Sequence, residues 1–69
     1  MLYAVSVFEG WEYGGWEFVG YVKVFRSQNA ALDFAYKNTE SAFHAVYYRV
    51  EAMTEEQVRA GGIEDLIES

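Results

Sequence analysis

The stretch MLYAVSVFEGWEYGGWEFVGYVKVFR, Met1 to Arg26, decides the fold. Tyr3, Val5 and Val7 alternate with Leu2, Ala4, Ser6 and Phe8, the period of a strand with two different faces. The period resumes at Trp16, with Trp16, Phe18, Val22 and Val24 on one side and Glu17, Val19, Tyr21, Lys23 and Phe25 on the other. Gly14-Gly15 between the two runs suits a two-residue type I′ turn, whose central residues need positive φ. That turn fixes a register in which Val5 meets Val24, Val7 meets Val22, Trp11 meets Phe18 and Tyr13 meets Trp16. It also sets Glu12 against Glu17, a like-charge pair that a wider loop with a bulge at Gly10 or Gly20 would avoid.

Downstream of the hairpin, Ser27 can cap a helix over 28–38, rich in Ala30, Ala31, Leu32 and Ala35. Ala31, Leu32, Phe34 and Ala35 form its apolar stripe, and Asp33 and Lys37 stand four apart on the opposite side. AFHAVYYRVEA, Ala42 to Ala52, alternates as a third strand, with Val46, Tyr48 and Val50 on one face. Thr54 opens a capping box, T-E-E-Q, for a short helix over 55–60 that Gly61-Gly62 stops. Ile63, Leu66 and Ile67 follow at helical spacing. The expected fold is therefore α+β: a small three-stranded, mainly antiparallel sheet (β-β-α-β, order 2-1-3 preferred to 1-2-3) packed by one helix, with short C-terminal helical segments. The whole of 1–69 reads as one domain, and 54–69 is its acidic C-terminal helical segment. The face bearing Val5, Val7, Val22, Val24, Val46 and Val50 is expected beneath the helix.

Composition bounds the function. The chain has 69 residues and no cysteine or proline, so neither a disulfide nor a thiolate metal site can staple it. A 52% hydrophobic and 19% aromatic content excludes a disordered chain. A net charge of −6 repels nucleic-acid phosphates and anionic lipid alike, so neither direct nucleic-acid binding nor a membrane is expected. No apolar run reaches membrane-spanning length and the N-terminus shows no signal-peptide pattern, which points to a cytoplasmic location. His44 is the lone histidine, and nothing at its spacing supplies a nucleophile or carboxylate partner, so it reads as structural. The carboxylates follow no calcium-loop spacing, and the glycines match no phosphate loop. No catalytic, cofactor-binding or metal-binding residue is assigned, no cofactor is implied, and the chain does not read as an enzyme.

Two features exceed what folding needs. The second sheet face gathers Phe8, Val19, Tyr21 and Phe25 with Phe43, Ala45 and Tyr47, where a sheet covered by one helix should be polar. Its cover is the C-terminal segment, a second copy or a foreign protein, and a short tail is a thin cover for the six large side chains among them, Ala45 aside, which favours a dimer. The charge is also uneven: 51–69 holds six acids and one base against five acids and four bases in 1–50. Glu55, Glu56, Glu64 and Asp65 thus form an acidic surface suited to a basic partner, while Trp11, Tyr13 and Trp16 offer aromatic anchors at the hairpin tip. The expectation is a small acidic intracellular protein-interaction module. It would act as an inhibitor of the phage-borne kind, occupying a basic or nucleic-acid-binding surface of a larger enzyme or complex. The alternatives are a structural homo-oligomer built through the apolar sheet face and a small-ligand binder.

Overall fold

The computed structural model describes residues 1–11, 14–39 and 44–68, with the backbone alone at Trp11, His44 and Ala45. Strand β1 (Leu2–Trp11) lies between β2 (Trp16–Phe25) and β3 (His44–Met53), so the sheet order is 2-1-3 and both pairings are antiparallel. This is the α+β arrangement the chain order implies. Helix α1 (Gln28–Asn38) crosses one face between β2 and β3, and helix α2 (Glu55–Ala60) with a 3-10 turn (Glu64–Leu66) lies on the other.

The hairpin register differs from the tight-turn expectation. Trp16 pairs with Gly10 rather than with Tyr13, and Gly15 does not adopt positive φ. The pairing then slips twice: Val5 faces Lys23 while Ser6 faces Tyr21, and Val7 faces Gly20 while Phe8 faces Phe18. Val22 and Val19 are the extra residues, each a bulge that leaves one side chain without a partner across the ladder. Gly20 lies between them with φ of 156°, a value that side chains disfavour. Both bulge valines are exposed, Val22 at 37% and Val19 at 56%. The like-charge pair survives in altered form, with Glu9 opposite Glu17.

The changed hairpin-end register, with Trp16 opposite Gly10, redistributes the expected core. Val5 and Val50 lie beneath α1 with Tyr3, Phe25 and Tyr48, packed on Ala31, Ala35 and Phe34. Val24 instead turns to the other face, where it is fully buried with Leu2, Ala4 and Val58. Phe25, expected on the second face, goes beneath the helix and meets Phe34 at 5.6 Å between ring centres. Helix α1 begins where Ser27 Oγ accepts the Ala30 N–H at 3.3 Å. Its small Ala31 and Ala35 allow close approach to the sheet, Phe34 is half-buried, and Leu32 is 48% exposed rather than part of the packed stripe. At the far end Thr39 Oγ1 donates to the Ala35 carbonyl and accepts the Tyr48 N–H, tying the helix to the outer edge of β3.

The C-terminal segment is folded onto the sheet by three local devices. The Thr54–Gln57 capping box is complete, with bonds of 2.8 and 3.1 Å. Gly62 takes φ of 70° after α2, and Ile63 N–H reaches back to the Val58 carbonyl, a Schellman closure that returns Ile63 to the Val58 core. Ile67 then bridges Val24 in parallel, with Glu68 N–H donating to the Val24 carbonyl at 2.7 Å and Lys23 Nζ meeting Glu68 Oε1 at 3.0 Å.

Candidate functional site

The C-terminal segment covers only the end of its sheet face that carries Leu2, Ala4 and Val24. Toward the hairpin the same face carries a run of aromatic rings. Tyr21 meets Phe18 at 5.5 Å, Phe18 meets Phe8 at 5.5 Å, Phe8 meets Tyr47 at 5.9 Å, and Tyr47 meets Trp16 at 5.6 Å. Those separations and their tilted or edge-on angles are the favoured geometry for aromatic pairs, so the rings hold one another in place. Trp16 remains 58% exposed, Phe18 51% and Tyr47 43%.

The sheet explains how rings from three strands join. Phe8 on the central strand has Phe18 across one ladder and Tyr47 across the other. One step further toward the hairpin, Gly10 stands in the same relation to Trp16 and Ala45. The glycine has no side chain, so the indole of Trp16 lies over the central strand and reaches Tyr47 on β3. A Cβ at Gly10 would come within 2.7 Å of the indole.

Tyr21 joins the rings to the covered end, packing also against the Leu2–Ala4–Val24–Val58 core. Its hydroxyl donates to Glu51 Oε2 at 3.2 Å. Burial, reinforced by the Glu51 charge and this hydrogen bond, holds its phenol above the ordinary tyrosine value, and Arg49 opposes the shift. Beyond Tyr21, α2 and the 3-10 turn stand on the same side of the sheet and carry Glu55, Glu56, Glu64 and Asp65, all exposed. The face thus has an aromatic floor at one end and an acidic step at the other.

Of the residues singled out from the sequence, Phe8, Trp16, Tyr21 and Tyr47 meet in this run. Phe18 joins them although the tight Gly14-Gly15 register places it, together with Trp16, on the α1 face; Tyr21 shares their face only because of the bulges, and the signal is the 16-18-21-24 spacing, which only a strand with extra residues puts on one face. Val19 is exposed in its bulge, and Phe25 lies on the opposite face. Tyr13, Phe43 and the side chains of Trp11 and His44 lie outside the described residues.

A separate crevice of about 160 Å³ opens beside the C-terminal segment, lined by Leu2, Val58 and Ile67 with Arg26, Arg59, Glu55 and Glu64. Its two arginines and two glutamates balance in charge, so it selects neither an anion nor a cation. Among the described residues no group of three or more histidines and acids is placed to hold a metal ion, and no helix is long and apolar enough to cross a membrane. The chain matches no protein-family model, no curated protein and no solved structure.

Proposed function

We propose that this chain is a non-catalytic protein-docking module that engages a basic protein surface through the aromatic end of its sheet face. The observation that carries the reading is the run of five linked rings on the same side of the sheet as the acidic step. Aromatic side chains offer about 150–250 Å² each, so the exposed portions of Trp16, Phe18 and Tyr47 present roughly 300–400 Å² of apolar floor. Rings held by their neighbours lose little freedom when a partner settles on them, and aromatics concentrate binding energy at interfaces. The −6 chain charge, with Glu56 and Asp65 of the step outside the balanced arginine–glutamate crevice, then favours a cationic partner and speeds its approach. A small acidic protein that fills the basic surface of a larger enzyme or nucleic-acid complex blocks that surface, which makes inhibition its mode of action.

The homodimer alternative fares less well on charge. Pairing would bring two −6 surfaces together.

The test uses a short peptide of alternating arginine and leucine as the probe, with a glutamate-for-arginine twin as control. Titration calorimetry should show binding of the cationic peptide alone. Phe18→Ser with Tyr47→Ser, which leaves the charge unchanged, should weaken it at least about tenfold. Tyr36→Ser, at a residue 85% exposed on α1, should leave it unchanged. Equal weakening by all the serine variants, or none by the first pair, would refute docking on this face.

A further inference from the structure

The indole of Trp16 is both fixed and open, a combination that Gly10 creates. The position where a Gly10 Cβ would stand lies 2.7, 2.8 and 3.0 Å from Cε3, Cζ3 and Cδ2, three consecutive atoms of the six-membered ring. Near-equal distances to three such atoms place that position over the ring's face rather than off its edge. One face of the indole therefore rests on buried glycine backbone, and Tyr47 bounds it on the β3 side. The 58% exposure of the residue belongs to the remaining surface, whose largest part is the opposite ring face. A flat apolar side chain seated on bare backbone with its other face in solvent is a stacking platform.

The electron-rich face of an indole attracts cations, more strongly than that of phenol or benzene. A guanidinium matches it best, being planar, permanently charged and weakly hydrated, so that it stacks at little desolvation cost. Arg49 lies on the same sheet face, next after Tyr47 along β3, yet among the described residues it stacks on none of the rings. Among the described residues the structure records no lysine or arginine stacked on the Trp16 ring. We infer that Trp16, seated on Gly10, is the cation–π platform for an arginine side chain of the basic partner, and that it makes the docking face select arginine over lysine. This rests on the docking function proposed above and names the partner group that the face reads.

The experiment compares the alternating arginine–leucine peptide with its lysine–leucine twin, which has the same charge and apolar content. Isotope-labelled protein gives one indole N–H resonance for each of Trp11 and Trp16, and Trp16→Leu assigns them. Wild type should bind the arginine peptide about three- to fivefold more tightly than the lysine peptide, with the Trp16 indole resonance shifting on titration. In Trp16→Leu both peptides should still bind, with that ratio falling to near one. Gly10→Ala, which drives the indole off its seat, should reduce the ratio likewise; because it also alters the strand, Trp16→Leu at an exposed site carries the decision. If both peptides bind wild type and the ratio is unchanged in Trp16→Leu, the platform inference is overturned while docking stands. If neither peptide binds wild type, the docking function fails and the platform with it.

Discussion

The docking of the C-terminal segment rests on one side chain more than any other. Val58 is 1% exposed, the only fully buried residue of α2, and it packs with Leu2, Ala4 and Val24. Val58→Ala removes two methyl groups, about 1.6 kcal/mol of transfer free energy at roughly 0.8 kcal/mol per buried carbon. The vacated space, on the order of 50 Å³, adds up to about 1.2 kcal/mol if nothing relaxes. Two effects reduce the total. Val58 borders the 160 Å³ crevice, whose walls Leu2 and Ile67 can move inward, and alanine is the better helix former by about 0.5 kcal/mol. The net loss should be about 1.5–2 kcal/mol, from a total stability of about 3.5–10 kcal/mol for a chain of this length. Urea denaturation followed by circular dichroism would read it, together with a fall in Tm of about 6–16 °C. The slope against urea should not change. A loss below about 0.5 kcal/mol would show that α2 does not pack on the sheet, and a markedly lower slope would show that the segment detaches in the variant.

Phe34→Ala should cost about 2–3 kcal/mol by the same measurement, short of the 3–5 kcal/mol typical of fully buried phenylalanines, because Phe34 is half-buried between Phe25 and Tyr48. A loss under about 1 kcal/mol would remove Phe34 from the helix–sheet contact. The raised phenol of Tyr21 stabilises the fold while it is protonated, so its contribution is complete below the unfolded tyrosine value of about 10 and is lost as pH rises through the folded value. Tyr21→Phe should cost about 0.5–1 kcal/mol at neutral pH, through the lost bond to Glu51, and should lessen the alkaline fall in stability. Unfolding curves measured from pH 8 to pH 11 would check this, and an identical alkaline fall in both proteins would refute the assignment.

The elements with local signatures were legible in the chain. Ser27 and the Thr54–Gln57 box mark the helix starts, and α1 and α2 occupy the expected 28–38 and 55–60. Strand order followed from antiparallel pairing of every neighbour. The register of β2 was less accessible, because alternation assumes that no residue is extra. Two bulges three residues apart place Trp16, Phe18, Tyr21 and Val24 on one face, a spacing neither strict strand nor helix periodicity describes. Gly20 and the like-charge Glu12–Glu17 pairing both pointed to a wider loop with a bulge, yet only the opposing strand decides where the extra residues fall. The candidate site follows the hairpin-end register rather than the bulges: pairing Trp16 with Gly10 puts Trp16, Phe18 and Val24 on the face opposite to the tight-turn expectation and Phe25 beneath α1. The acids of 55–65 needed no register, whereas the packing of Ile63, Leu66 and Ile67 on the Val24 end is one of three covers that the aliphatic spacing leaves open, and the tail covers that end.

The same two bulges bear on how a partner can dock. An unprotected sheet edge invites another strand, and binding through it would depend on backbone groups rather than on rings. Here both edges are compromised for that purpose. On β2 the bulges at Val22 and Val19 interrupt the regular spacing of outward amides and carbonyls, and Glu68 already occupies the Val24 carbonyl. On β3 the outward Tyr48 N–H is bonded to Thr39 Oγ1. With strand addition hindered at both sides, the exposed face is the more accessible surface, and it offers side chains instead of backbone. Selectivity would then come from the flat indole over Gly10 and the charges beside it. The bulges that bring Tyr21 onto the face of Trp16 and Phe18 thus also blunt the edge that would compete with it for partners.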